Sequence, residues 1–246
     1  MRLAGRTAIV TGGGSGFGAG IARAFAEQGA RVMVADIRPE AAAAIADEVG
    51  GIPCPVDVAR DDSVAQIAAV VRAEWGSPDI LVNNAGITHR PQPLDQVTEA
   101  DFDRVFAVNA KSVYLTARHL VPMMKAAGRG CILNVASTAG ISPRPGLNWY
   151  NASKGWMITA TRTMAVELAP LGIRVNALAP VAGETPLLAS FMGEDTPEMR
   201  AKFLSTIPLG RFSTPQDMGA AALFLCSDEA AMITGAILPV DGGRCL

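Results

Sequence analysis

Short apolar runs alternate along the chain with longer stretches whose apolar residues recur every three to four positions. The runs fall at residues 7–11, 31–36, 51–55, 80–83, 131–136, 174–179 and 236–240. They are nearly continuous and rich in β-branched side chains, the pattern of strands covered on both faces rather than of strands with one wet side. Helical periodicity occupies residues 16–28, 38–49, 61–75, 99–127, 150–169, 187–204 and 215–227. Strand and helix in strict alternation predict an α/β fold, a single doubly wound domain over residues 1–246 with a seven-stranded parallel sheet and helices on both faces. Polar residues mark several ends. Asp61-Asp62-Ser63 is expected to cap the helix before Val64, Thr98 with Asp101 forms a capping-box variant, and Gly29 and Gly172 stand where helices stop.

With 246 residues the chain is long enough for one large core, and 50% hydrophobic content with 25 glycines fits a compact protein with close backbone approaches. A net charge of -2 gives no electrostatic reason to expect nucleic acid or an anionic membrane as partner, so a small molecule is the expected ligand. The first residues lack the pattern of a signal peptide and no apolar run reaches the length of a membrane span; the cytoplasm is the expected location. Cys54, Cys131, Cys226 and Cys245 are too scattered to suggest a disulfide framework, and no metal site is expected.

The candidate chemistry sits in the turns after strands. Gly12-Gly13-Gly14-Ser15-Gly16-Phe17-Gly18 joins the first strand to the first helix, where glycines admit close approach and free amides at a helix start favour a pyrophosphate. Asp36 ends the second strand about 20 residues on, where an acid can bond the adenine ribose hydroxyls of a dinucleotide. Such a carboxylate repels a 2′-phosphate, so NAD is favoured over NADP, although Arg38 can relieve that repulsion. Asp57 can reach the adenine base or cap its own turn. Asn83-Asn84-Ala85-Gly86 ends the fourth strand, with paired amides that can lock strands or border a cofactor. Tyr150 and Lys154, four apart, project from one helix face; an ammonium there is expected to bring the phenol pKa down towards neutrality.

Thr11-Gly12-x-x-x-Gly16-x-Gly18, Asn83-Asn84-Ala85-Gly86, Ser137 and Tyr150-x-x-x-Lys154 together resemble the short-chain dehydrogenase/reductase family, over essentially the whole chain. The resemblance implies a Rossmann fold and a hydride transfer between a nicotinamide and a secondary alcohol or ketone. It implies that Tyr150 passes the proton, Ser137 holds the substrate oxygen, Lys154 tunes the tyrosine and holds the nicotinamide ribose, and Asn109 holds a water beside the lysine. It places the cofactor along Gly12, Ser15, Gly16, Phe17, Gly18, Asp36, Ile37, Asp57, Val58, Asn84, Ala85, Gly86, Tyr150, Lys154, Pro180, Ala182, Gly183 and Thr185, and the substrate against Ser137, Thr138, Asn148 and Tyr150. A homotetramer is implied in the same way.

The segment Pro180-Val181-Ala182-Gly183-Glu184-Thr185 departs from the family's Pro-Gly pattern, which leaves its backbone path open. Residues 183–210, rich in Met and Phe, read as a lid over the substrate, with Arg144 and Trp149 as further pocket residues. Arg144 can attract an acidic substrate, or stand on an exposed turn between Pro143 and Pro145. His89 is expected at the surface, His119 in helix packing, and Phe102, Phe106 and Tyr114 on one buried helix face. Two other functions share these motifs: a 3-oxoacyl thioester reductase, with Arg144 or Arg129 receiving the carrier, and a dinucleotide-binding regulator without turnover.

Overall fold

A computed structural model describes the whole chain, Met1–Leu246. Seven strands, β1 (Thr7–Thr11), β2 (Arg31–Asp36), β3 (Ile52–Pro55), β4 (Ile80–Asn83), β5 (Gly130–Val135), β6 (Ile173–Pro180) and β7 (Ile237–Val240), form one parallel sheet in the order β3-β2-β1-β4-β5-β6-β7. The pairing is in register from Thr7 against Arg31 to Pro180 against Val240. The connections run outward in opposite directions from β1 and β4, so the carboxyl ends of these two strands part to leave a crevice.

The period of two along each strand feeds two cores. Ala8, Val10, Val32 and Val34 point to a layer with α1 (Gly16–Glu27), α2 (Pro39–Val49) and α9 (Pro215–Cys226). Ile9, Met33, Ala35 and Leu81 point the other way, to α3 (Asp61–Glu74), α5 (Ser112–Ala127) and α6 (Asn148–Leu168). Each strand residue so placed is almost completely buried, which is why the runs are mainly apolar. A buried side-chain ladder ties the second layer together: Thr116 donates to Asn83 Oδ1 at 2.8 Å, Asn83 Nδ2 to Asn134 Oδ1 at 2.9 Å, and Asn134 Nδ2 to Thr161 Oγ1 at 2.8 Å. The paired amide expected of Asn83 is therefore a structural lock between β4 and β5.

Three expectations are corrected. The periodic stretch 99–127 is two helices, α4 (Glu99–Phe106) and α5, separated by a π-helical turn at Ala107–Lys111. The extra residue of a π turn rotates the succeeding helix by about 100°. Phe102 and Phe106, four apart on α4 before the π turn, stack on each other with centroids 4.6 Å apart, while Tyr114 on the rotated α5 faces out, 53% exposed. The stretch 187–204 is likewise two short helices, α7 (Leu188–Met192) and α8 (Pro197–Leu204), because Gly193 at positive φ ends the first and Thr196 caps the second before Pro197. The third concerns Asp61-Asp62-Ser63. The α3 N-cap is Arg60, without a side-chain cap; Ser63 Oγ instead accepts from the Asp57 amide at 3.0 Å and Asp61 bonds His119 at 2.9 Å. Thr98 does accept from the Asp101 amide, at 3.1 Å.

Candidate active site

The crevice at the carboxyl ends of the strands opens into a cleft of about 430 Å³ running from Asp36 and Asp57 at one end to Arg144 and Phe203 at the other. Its floor is the turn between β1 and α1. Gly12 and Gly16 have φ of 62° and 53°, and a Cβ on Gly12 would stand 2.9 Å from Ala85 Cα. Gly18 does not reach the cleft wall: a Cβ there would fall 2.2 Å from the Gly12 carbonyl oxygen, so its contribution is to let α1 press against the turn. Asn84 fixes the same turn by donating Nδ2 to the carbonyls of Thr11 and Gly12, at 2.8 and 3.1 Å, and the Thr11 hydroxyl accepts from the Asn84 and Ala85 amides. The start of α1, with Ser15 at its N-cap and no side chain capping it, faces this cleft with free amides.

Asp36 is buried at the tip of β2 and held there by three hydrogen bonds, which leave its Oδ2 able to accept another. Its Oδ2 accepts from the Gly14 amide at 3.0 Å, and its Oδ1 from the Arg38 amide at 3.0 Å and Nε at 3.3 Å. Arg38 turns back over the glycine turn and donates to Ser15 Oγ at 2.8 Å. Asp57 Oδ1 accepts from the Ala59 amide at 2.9 Å, the turn cap allowed for, while still lining the cleft.

Across the crevice Ser137 follows β5 and caps a short 3₁₀ turn, Thr138–Gly140. Tyr150 and Lys154 rise from the first turns of α6, 5% and 4% exposed. Lys154 Nζ donates to the Val135 carbonyl at 2.9 Å and lies 5.9 Å from the Tyr150 ring centroid. Burial pushes the Tyr150 hydroxyl up to about 12, against which the neighbouring Ser137 hydroxyl pulls it down; burial pushes Lys154 from 10.5 down to about 8. The expectation that the lysine brings the phenol towards neutrality is therefore corrected for the protein alone, because loss of solvent dominates both groups. Asn109 sits in the π turn, buried, and spends its amide on the loop after β4: Oδ1 accepts from the Ile87 amide at 2.9 Å, and Nδ2 donates to the Ile87 carbonyl at 2.9 Å and to Ser153 Oγ at 3.0 Å. Gly86 leaves the space beside Lys154 Nζ, which a Cβ would approach to 3.3 Å.

The model of the family described as enoyl-(acyl carrier protein) reductase matches residues 12–244. The 4-formylbenzenesulfonate dehydrogenase of Comamonas testosteroni is 48% identical, with 99% of each chain covered. The chain belongs to the short-chain dehydrogenase/reductase family. The 3-oxoacyl-(acyl-carrier-protein) reductase of Thermotoga maritima is 41% identical over 99% of each chain. Among solved structures, the 3-ketoacyl-(acyl-carrier-protein) reductase of Brucella melitensis complexed with NADH superposes with a TM-score of 0.94 at 46% identity, covering 99% of this chain and 100% of that one. As a family member the protein is an oxidoreductase that uses a nicotinamide dinucleotide. No helix is long and apolar enough to cross a membrane.

Within this short-chain dehydrogenase/reductase cleft the structure brings together Ser15, Phe17, Ile37, Val58, Pro180, Ala182, Gly183 and Thr185 with the glycine turn, Asn84, Ala85, Ser137, Thr138, Tyr150 and Lys154. The unusual segment after β6 has a defined path. Gly183 bridges to Ser213, and a Cβ on it would collide with the Phe17 ring at 2.3 Å; Thr185 then stands over Gly16, whose Cβ would lie 3.1 Å from it. Glu184 points out of the cleft and is exposed.

Asn148 is also exposed and outside the cleft, because α6 begins there, two residues before Tyr150, and turns its side chain to solvent. Trp149 faces the other way, donating Nε1 to the Leu94 carbonyl at 3.1 Å and packing edge-on against Phe102. Asn151 and Leu147 occupy the cleft wall instead, and the start of α6 was the signal that would have found them. His89 is buried, 1% exposed, bonding the Arg90 carbonyl through Nδ1 at 2.8 Å; the loop after β4 folds inward rather than over the surface. Arg144 is half-buried rather than on an exposed turn.

Proposed function

We propose that this oxidoreductase is an NAD(H)-dependent dehydrogenase that interconverts a secondary alcohol and a ketone, alcohol plus NAD⁺ giving ketone, NADH and a proton. The observation that carries the reading is the burial of Ser137, Tyr150 and Lys154 together on one wall of a cleft whose floor is a glycine turn at a helix start. The residues suit a dinucleotide: free amides at the α1 start for the pyrophosphate, Asp36 for the adenine ribose, and the space that Gly86 leaves beside Lys154. When bound, the nicotinamide supplies or accepts the hydride.

The protein's own groups handle the oxygen. The Tyr150 hydroxyl, neutral at physiological pH because burial holds its pKa up to about 12, is a proton donor to a carbonyl oxygen during reduction; in oxidation it must first release its proton to solvent, and the phenolate then takes the proton of the alcohol. Ser137 donates a second hydrogen bond to that oxygen. Lys154, anchored on Val135, sets the position of the ribose, and Asn109 holds the loop and helix on either side of it.

Asp36 is the ground for NAD over NADP, since a buried carboxylate opposes a 2′-phosphate. Arg38 is already engaged with Asp36 and Ser15. Fluorescence titration with NADH and NADPH, followed by assay on ketones, on the relative's 4-formylbenzenesulfonate and on 3-oxoacyl thioesters, tests this. NADH should bind at least tenfold more tightly and ketones should turn over; NADPH preference with thioester turnover would replace this reading by the thioester reductase. Four free thiols fit a reducing compartment, and we place the enzyme in the cytoplasm as a homotetramer.

A further inference from the structure

The substrate arm of the cleft carries a positive charge that no group of the protein neutralises. Its walls are apolar or neutral, Leu147, Tyr150, Phe191 and Phe203, with Ser137 and Thr138 at the reacting end. Tyr150 and Phe191 pack edge to face with centroids 5.0 Å apart, so the arm is walled by aromatic rings close to its reacting end. At its far end the Arg144 guanidinium lies over the Phe203 ring, 4.5 Å from the centroid, and donates one bond to Thr206 Oγ1 at 2.9 Å. Asn151 fixes the turn that carries it, donating Nδ2 to the Arg144 carbonyl at 2.7 Å.

Arg144 has no carboxylate within ion-pair distance. Arg200 and Arg211, on the same flap of the molecule, are each held by a partner, Asp195 and Asp217. The group nearest Arg144 in charge is of the same sign: Arg244, near the chain end, whose buried Nε lacks any hydrogen-bond partner, and which also has no carboxylate. The acidic residues that do line the cleft, Asp36 and Asp57, stand at the adenine end. Half-burying a guanidinium next to another one costs free energy unless a ligand offsets it, and a guanidinium with unused donors at the end of an apolar cleft is suited to a planar or trigonal anion.

We infer that the substrate is a compact ring-sized carbonyl or alcohol carrying an anionic group, a carboxylate or sulfonate, on the side opposite the reacting carbon, and that Arg144 binds that group. This deepens the alcohol and ketone reading and rests on it. Leu147, Phe191 and Phe203 then line the apolar body, and Arg144 fixes which carbon faces Tyr150.

The test is the ratio of kcat/KM for 4-acetylbenzoate to that for methyl 4-acetylbenzoate, with NADH, in the wild type, Arg144→Met and Arg144→Lys. A ratio within one preparation cancels any loss of folded enzyme. The ester withdraws electrons more strongly, so intrinsic reactivity works against the predicted preference. The wild type should favour the acid by roughly 10- to 100-fold, the worth of one charge-assisted pair. Arg144→Met should bring the ratio to about one, and Arg144→Lys should retain part of it. 4-Acetylbenzenesulfonate, run alongside, separates the two anions: whichever is faster names the group. Equal turnover of acid and ester by the wild type, or a preference that survives Arg144→Met, overturns the inference and leaves the oxidoreductase reading standing. Turnover of simple ketones with neither aryl compound accepted overturns it too. Failure of every carbonyl compound would remove the alcohol and ketone reading itself.

Discussion

Burying a phenol and an ammonium on one wall penalises the charged form of each, and at Tyr150 and Lys154 that penalty is the main determinant of charge. Lys154 has consequences for stability that can be measured. Its folded pKa of about 8 lies below the ordinary 10.5, so below pH 8 folded and unfolded chains both hold the proton and the folded state bears the full cost of a buried cation. Between 8 and 10.5 the unfolded chain keeps a proton that the folded one has shed, and stability rises with pH. Lys154→Met should therefore stabilise the protein at pH 7 by roughly 1–2 kcal/mol, after allowing for the lost bond to Val135, and as pH rises above 8 the gain should fall and then reverse before 10.5, where only the lost bond remains. Denaturation of both forms across pH 6–10 checks it; a pH-independent difference would mean that the lysine is not held at a cost. The types and spacing of these residues were legible in the sequence, since Tyr150 and Lys154 four apart on a helix must share a face. Their ionisation was not, because it depends on how deeply α6 is covered. His89 and Asn148 exchanged their expected places for a similar reason: burial in a loop or at a helix start is set by tertiary packing, which no local pattern records.

At the scale of elements, strands were the most legible part, since being covered on both faces gives them an unbroken apolar run with sharp ends, and β1, β2 and β4 lie where the pattern put them. Helices spanning a defect were not. The π turn at Ala107–Lys111 leaves the apolar period nearly intact while it rotates α5 relative to α4, and it is this turn that carries Asn109 to Ile87 and Ser153. The rotation also sends Tyr114 outward on α5, while α6 exposes Trp156 and Val166, the latter 79% exposed. These two neighbouring helices thus present apolar side chains that no part of the chain covers, which supports the proposed tetramer. Light scattering should give four times the 25.5 kDa chain mass, and Val166→Glu should shift the mass downward; a wild type of single-chain mass would contradict it.

At the scale of the molecule, the reversal of strand order at β1 and β4 places the glycine turn and the Ser137, Tyr150 and Lys154 group on opposite walls of one cleft. The two halves answer to different demands, a dinucleotide in one arm and the reacting oxygen in the other, and they meet where Gly86 faces Lys154. With the work divided in this way, the cofactor can be held without the phenol, but the chemistry cannot proceed without it. The most direct measurement is NADH binding and ketone turnover by Tyr150→Phe. The account predicts a dissociation constant for NADH within about threefold of the wild type and turnover reduced by at least ~100-fold, the usual worth of a positioned general acid. Turnover close to that of the wild type would contradict it.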